Sequence, residues 1–131
     1  MGAILIVEDD GDIRELIAEV LRGEGYDVLE AHHGAHALEI LAEQTVQPCL
    51  ILLDLMMPVM SGQELLKVLG DTDRLSTLPV VVVSAGGRPE EAPEARQFVR
   101  KPPNLSLLLN LAEEYCGPPP AAAARAEAPA G

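Results

Sequence analysis

The sequence predicts an α/β fold in which a doubly wound parallel sheet is covered by helices on both faces. Short apolar runs alternate along the chain with segments whose apolar residues recur at helical spacing. Two of the runs, LILL and PVVVV, contain no polar residue, which is typical of strands buried on both faces. Strict alternation of such strands with helices indicates a parallel sheet.

The predicted strands are short, and their composition separates central strands from edge strands. In chain order they are Ala3–Val7, Tyr26–Ala31, Leu50–Leu53, Pro79–Val83 and Gln97–Arg100. The second strand, YDVLEA, is the more polar one, as an edge strand would be. The fourth is rich in β-branched valine and is therefore predicted to be central.

Helical periodicity fills the intervals between the strands. The first helix begins at Asp12 and is stopped by Gly23 and Gly25; the others are Ala35–Thr45, Gln63–Leu69 and a last helix from the cap Asn104 to about Tyr115. We therefore assign residues 1–116 to one domain. Residues 117–131, GPPPAAAARAEAPAG, are predicted to be a disordered Pro/Ala-rich tail or linker stub.

Composition limits the possible partners. Nine Lys and Arg residues stand against 21 Asp and Glu residues, which gives a net charge of -12. This balance argues against direct binding of nucleic acid or an anionic membrane and suits a protein that binds a cation. No signal peptide or membrane span is recognisable, so a cytoplasmic location is expected. The two cysteines, Cys49 and Cys116, are accordingly expected to be reduced thiols.

Polar side chains stand where the predicted strands end. Glu8, Asp9 and Asp10 follow the first strand, Asp54 the third, Ser84 the fourth and Lys101 the fifth. In an open α/β sheet, ligands bind outside the carboxyl ends of the strands, where the strand order reverses. In the flavodoxin-like order 2-1-3-4-5, strands one and three are neighbours there. Glu8, Asp9 and Asp54 are therefore expected to converge, next to a hydroxyl and an ammonium group.

Three converging carboxylates repel one another unless a cation neutralises them. Oxygen ligands of this kind suit Mg²⁺ (or Mn²⁺), which typically takes one or two carboxylates together with phosphate oxygens. The set is that of a phosphoryl-transfer site in which one carboxylate is the nucleophile and a lysine supplies a point charge. Asp54 is the expected nucleophile because it stands alone at the end of a central strand.

Four ordered motifs resemble the response-regulator receiver domain of two-component signalling, over Ala3 to about Tyr115. They are ILIVEDDGDIRELI, LILLDLMMPVMSG, VVVVSA and FVRKPP. The resemblance implies a stand-alone, chemotaxis-type regulator that takes a phosphoryl group from a sensor histidine kinase or phosphotransfer protein and then acts on a downstream protein target. It implies no turnover of an external substrate, only catalysis of its own phosphorylation and dephosphorylation, and a monomer or weak dimer.

The same resemblance implies a role for each matching residue. Glu8 and Asp9 are the acids of the metal site, Asp54 is the phosphoacceptor, Met56 lends its backbone carbonyl to the metal, Ser84 is the switch hydroxyl, Lys101 is the phosphate-pairing amine and Phe98 falls at the switch aromatic. A cis peptide bond before Pro102 is also implied. From the residues alone, Phe98 fits core packing equally well.

Simpler interpretations hold for other polar residues. Asp10 and Asp12 fit the acidic start of a helix, and His32, His33 and His36 fit a solvated loop or the start of a helix better than a metal site. A phosphatase of the haloacid-dehalogenase type would need a second acid two residues after Asp54, where Met56 stands. A pseudo-receiver that binds partners without phosphorylation stays an alternative, although it would normally have lost one of the site residues.

The sequence departs from the resemblance between Ser84 and Lys101. Only sixteen residues, AGGRPEEAPEARQFVR, lie between them, and about four are needed for the fifth strand. Receivers normally place a full amphipathic helix here. Pro93, four residues after Pro89, cannot donate the hydrogen bond that would continue a helix. We therefore predict a single turn or a disordered loop in place of the fourth helix of the family, with the output face left to the last strand and last helix or completed on a partner.

Overall fold

The computed structural model describes residues 2–43, 47–57 and 60–120 of the 131-residue chain. Five parallel strands form one sheet in the order β2-β1-β3-β4-β5. They are β1 (Ile4–Val7), β2 (Val28–Ala31), β3 (Leu50–Leu53), β4 (Val80–Ser84) and β5 (Gln97–Arg100). The predicted sheet and its strand order are confirmed.

Four helices cover the sheet. They are α1 (Gly11–Gly23), α2 (Gly34–Ala42), α3 (Gly62–Gly70) and α4 (Leu105–Cys116). Helices α1, α3 and α4 begin at side-chain caps supplied by Asp10, Ser61 and Asn104. The predicted second helix ran to Thr45, but α2 ends at Ala42, and residues 44–46 lie outside the described part of the chain.

The strands bury both faces, as their apolar composition requires. In β1, Ile4 and Ile6 pack with α1 and α4 on one face, whereas Leu5 and Val7 pack with α2 and α3 on the other. All four residues of β1 and all four of β3 are buried. The two strands that carry the predicted acids are therefore held rigidly at the centre of the sheet.

Between β4 and β5 the chain forms only a three-residue 3₁₀ turn, Pro89–Glu91. The segment still contributes to the core through Ala92, which is 4% exposed and packs with the α2 and α3 side of the sheet. The prediction that the fourth helix of the family is shortened is confirmed. The last predicted helix, which follows the cap Asn104, is α4.

Two expectations about the chain are wrong. Tyr26 does not begin β2, because its N–H bonds back to the carbonyl of Leu21 at the end of α1, at 3.2 Å. Cys49 and Cys116 are not free thiols but form a disulfide, with their Cα atoms 5.3 Å apart. Their separation of 67 residues hides the fact that the start of β3 and the end of α4 meet at the same end of the sheet.

The sheet has an amino end, where its parallel strands begin, and a carboxyl end, where they finish. The amino end holds the disulfide and a hydrogen bond of 2.7 Å from the Tyr26 hydroxyl to the Gly117 carbonyl. The carboxyl end holds the predicted site. In the described part of the chain no helix is long and apolar enough to cross a membrane. The predicted tail from residue 117 stays a prediction, since residues 121–131 lie outside the described part.

Candidate functional site

The carboxyl end of the sheet brings the three predicted acids together. Carboxylate oxygens of Glu8, Asp9 and Asp54 all lie within 4.8 Å of one another. Strands β1 and β3 are hydrogen-bonded neighbours in register, with Val7 opposite Leu53, so the residues that follow them emerge side by side. The Asp54 N–H donates to the Val7 carbonyl at 3.0 Å and extends this pairing into the site.

The acids differ in exposure. Glu8 is 3% exposed and Asp54 is 4% exposed, whereas Asp9 faces solvent. A buried carboxylate is stable only when it is paired or hydrogen-bonded. Asp54 receives the N–H of Met56 on one oxygen, at 3.2 Å, and Glu8 receives the N–H of Asp10, at 3.3 Å. The buried pair is thus held by the backbone, and the exposed Asp9 is free to meet a ligand from water.

Lys101 lies between the two buried acids. Its ammonium forms an ion pair with Glu8 and lies 3.4 Å from an Asp54 oxygen. Burial lowers the pKa of Lys101, but hydrogen bonding to Glu8 and the charge of Asp54 outweigh it and raise that pKa above its ordinary value. The lysine therefore stays charged at the site.

For Glu8, burial has the largest influence on the pKa. Burial raises its pKa to about 7, helped by the neighbouring Asp54 charge and only partly opposed by the hydrogen bond from Lys101. One ammonium thus does not fully compensate two buried carboxylates. The donor set of three carboxylates with surplus negative charge fits a hard divalent cation such as Mg²⁺.

Ser84 is the last residue of β4 and is completely buried. Among the described residues its hydroxyl has no hydrogen-bond partner. Buried hydroxyls are normally paired. The Ser84 carbonyl accepts the N–H of Lys101 at 3.1 Å, which ties this residue to the lysine of the site. A buried hydroxyl without a partner, at the end of the strand next to β5, is consistent with a site that binds an oxygen-rich ligand.

Other predicted residues fall near the site or away from it. Met56 lies in the turn after Asp54 and is 61% exposed, and the role of its carbonyl stays a prediction. Phe98 pairs with Val82, packs partly against the core and carries the Arg100 guanidinium 4.8 Å above its ring. The peptide bond between Lys101 and Pro102 is cis, as predicted.

The histidines do not join the acids. His33 caps α2 by accepting the N–H of His36 at 3.1 Å, and the rings of His32 and His36 stack at 4.8 Å. Within the described residues the only group of three or more potential ligands that could hold a metal is the acidic one. Asp10 acts as the cap of α1, as its simpler interpretation predicted.

Two features of the site escaped sequence reasoning. Gly62 opens α3 where a Cβ atom would lie 2.6 Å from the Asp54 carbonyl oxygen, so only glycine lets α3 approach the turn after β3 this closely. Arg14 donates to the Glu8 carbonyl at 2.8 Å from within α1. The sequence did contain a signal for this role of Arg14. Positions 14, 17, 18 and 21 form one buried face of α1, and the residue at position 14 is charged.

Comparison with known proteins gives one consistent result. Residues 4–113 match the family model described as "Response regulator receiver domain". The polar-differentiation response regulator DivK of Brucella anthropi is 29% identical over 120 residues, covering 88% of this chain and 96% of DivK. The transcriptional regulatory protein CpxR of Escherichia coli K12 is 39% identical over 87 residues, covering 66% of this chain but only 35% of CpxR.

Solved structures agree with the sequence matches. The chemotaxis protein CheY4 of Vibrio cholerae has a TM-score of 0.76 at 28% identity and covers 88% of this chain and 98% of its own. A response regulator receiver protein of Pseudomonas putida has a TM-score of 0.79 at 29% identity, covering 86% and 96% of the two chains. The resemblance first drawn from four short motifs therefore extends over nearly the whole described chain.

Proposed function

Because this chain belongs to the family of response regulator receiver domains, we propose that it is a phosphoacceptor whose modified residue is Asp54. The single observation that carries this proposal is the arrangement around Asp54. It is a buried carboxylate within 4.8 Å of two further acids and 3.4 Å from a lysine ammonium. A buried aspartate in such a position fits nucleophilic attack on a phosphoryl group.

The transfer forms one bond and breaks one. An Asp54 carboxylate oxygen attacks the phosphorus atom, the bond from phosphorus to the donor breaks, and the donor leaves with that electron pair. With a phosphohistidine donor, the leaving group is the imidazole nitrogen. The product is an acyl phosphate on Asp54. A histidine kinase or phosphotransfer protein is the proposed physiological donor, and a downstream protein is the proposed target.

Each neighbouring side chain has a task in this step. Lys101 pairs with the phosphoryl oxygens as charge builds up on them, and it already lies 3.4 Å from Asp54. Ser84 offers its unpaired hydroxyl to a phosphoryl oxygen. Glu8 and Asp9 together with Asp54 would hold Mg²⁺ (or Mn²⁺), and Met56 would add its carbonyl. When bound, that cation neutralises the acids and the phosphoryl oxygens.

The remaining parts of the proposal concern context. The protein modifies itself and releases its own phosphate, so it is a signalling switch and not an enzyme acting on a separate substrate. It acts in the cytoplasm as a monomer or weak dimer. Without a full helix between β4 and β5, the surface that responds to phosphorylation is built from β5 and α4.

The test is covalent labelling. Incubation with acetyl phosphate and Mg²⁺ should add one phosphoryl group to the intact protein, measured by mass spectrometry and removed by hydroxylamine. The Asp54→Asn variant should stay unlabelled, and the neighbouring Asp10→Asn variant serves as a matched control that should still be labelled. Equal labelling of wild type and Asp54→Asn would sink the assignment.

A further inference from the structure

Arg14 occupies a place where an apolar residue is expected. It shares one helix face with Ile17, Ala18 and Leu21, all of which are buried in the core. The Arg14 side chain is itself only 11% exposed. Burying a guanidinium is costly unless its donors are satisfied. Its contacts therefore indicate what it does there.

Those contacts link α1 to two strands. The Arg14 Nε donates to a Glu30 carboxylate oxygen on β2 at 3.2 Å, and one terminal nitrogen donates to the Glu8 carbonyl at 2.8 Å. The second Glu30 oxygen pairs with Arg22 at 3.1 Å. The bond from Nε to Glu30 thus orients the planar guanidinium and fixes the direction of its remaining N–H donors.

The accepting carbonyl belongs to the peptide group that joins Glu8 to Asp9. The Glu8 N–H is bonded to the Ala31 carbonyl at 3.1 Å, so strand pairing fixes one side of Glu8 and Arg14 fixes the other. If this peptide group rotated, the side chains of Glu8 and Asp9 would be redirected together. The hydrogen bond from Arg14 thus restrains the peptide group that joins the two acids which follow β1.

We propose that Arg14 is a positioning residue for the cation site: it holds the Glu8–Asp9 peptide group so that both carboxylates face Asp54. This inference rests on the proposed function. It gives a reason for a charged residue on the buried face of α1. Lysine would not replace it, because a single ammonium lacks the fixed fork that reaches Glu30 and the carbonyl at once.

A purely structural role would look different. If Arg14 only fastened α1 to β2, its loss would resemble the loss of Arg22, which also pairs with Glu30 and additionally donates to the Val28 carbonyl at 2.9 Å. Arg22 has no hydrogen bond to Glu8 or Asp9 among its described contacts. Arg22 is therefore the matched control.

The experiment compares Arg14→Met with Arg22→Met in the full-length protein. Isothermal calorimetry measures the dissociation constant for Mg²⁺ without phosphate, and acetyl phosphate labelling measures the rate at low and at saturating Mg²⁺. We expect Arg14→Met to weaken Mg²⁺ binding about tenfold, as loss of a group that orients metal ligands typically does. Labelling should be slowed at low Mg²⁺ and recover largely at saturation. Arg22→Met should bind within about twofold of wild type.

Each outcome decides something. If the wild type binds Mg²⁺ and both variants bind it as tightly as the wild type does, Arg14 has only a structural role. The inference then fails while the proposed function stands. If the wild type neither binds Mg²⁺ nor accepts phosphate, both fail. Should Arg14→Met not fold, Arg14→Lys and Glu30→Gln replace it. Each should weaken Mg²⁺ binding several-fold with the circular dichroism of the wild type, and unchanged binding in both would overturn the inference.

Discussion

At the carboxyl end of the sheet three carboxylates lie close together and one ammonium pairs with two of them, whereas at the amino end the disulfide and the bond from Tyr26 to Gly117 link separate segments of the chain. Both ends terminate the same five strands and rest on the same core. At one end the polar groups are left with unsatisfied charge, which lowers stability and provides a place for ligands. At the other end they are mutually satisfied, which offsets that loss. The difference indicates that the crosslinked amino end stabilises the fold that holds the charged site at the opposite end of the sheet.

The largest expected effect is at the amino end. The disulfide closes a chain segment with a sequence separation of 67 residues, and the loss of unfolded-state entropy corresponds to about 4 kcal/mol of stability. Reduction should therefore lower the midpoint of urea unfolding markedly. The double variant Cys49→Ala/Cys116→Ala should be as unstable as the reduced wild type and should not respond to reductant. Identical midpoints for the wild type with and without reductant would contradict the crosslink.

At the carboxyl end, removal of the ammonium should have the next largest effect. Lys101→Met leaves Glu8 and Asp54 buried without their cation, and breaking such a pair typically costs 3–5 kcal/mol. We expect about 3 kcal/mol, because Glu8 can take up a proton in response. Lys67→Met, at an exposed position of α3, is the control and should change stability by less than about 0.5 kcal/mol. Equal unfolding curves for the two variants would mean that Lys101 does not stabilise the buried carboxylates of Glu8 and Asp54.

The pH dependence of stability isolates Glu8. Its pKa is raised from 4.5 to about 7 in the folded protein, so between these values the unfolded chain loses a proton that the folded chain keeps. Stability contributed by the protonated group is fully present below about pH 4.5 and is lost as the pH rises to about 7. A rise of about 2.5 pKa units, at about 1.4 kcal/mol per unit, corresponds to a loss of roughly 3 kcal/mol.

Glu8→Gln should lack this component, because its amide does not titrate. The measurement is the free energy of unfolding of both proteins at several pH values without divalent cation. The wild type should lose stability relative to Glu8→Gln as the pH rises across that interval. A constant difference between the two proteins from pH 4.5 to pH 7 would rule out the raised pKa.

The smallest expected effects on stability are those of substituting the neighbouring acids Asp9 and Asp10. Asp9→Ala removes an exposed charge from a repelling group and should leave the free energy of unfolding unchanged or slightly increased, while preventing phosphorylation. Asp10→Ala removes the cap that accepts the N–H groups of Asp12 and Ile13, and should cost about 1 kcal/mol. Thermal melts without Mg²⁺ test both. A strong destabilisation by Asp9→Ala would show that Asp9 stabilises the apo state.

Much of this arrangement could be read from the sequence because parallel strands leave little freedom. Once β1 and β3 were recognised as neighbours, Glu8, Asp9 and Asp54 had to emerge together. The shortened connection before β5 followed from Pro89 and Pro93, since proline restricts the backbone locally. Such features depend on chain order and local geometry, both of which the sequence contains.

The features that were missed depend on contacts between distant segments. Cys49 and Cys116 show no short spacing, and their pairing requires knowing where β3 begins and α4 ends. The bond from Arg14 to the Glu8 carbonyl depends on the orientation of one side chain. The ion pair of Lys101 with Glu8, in addition to its approach to Asp54, likewise depends on side-chain reach that spacing cannot supply.

The disulfide also determines what a break in the polypeptide would do. Arg96 lies in the connection between β4 and β5 at an exposed position and is followed by Gln97, so trypsin has a target there. A cut after Arg96 places Asp54 and Lys101 on separate peptides, yet Cys49 and Cys116 keep those peptides in one covalent molecule. Such a nicked protein would run as one band without reductant and as two with it. The nicked molecule would be a split protein in which Asp54 and Lys101 come from different peptides that the disulfide, the core and the pairing of β4 with β5 hold together.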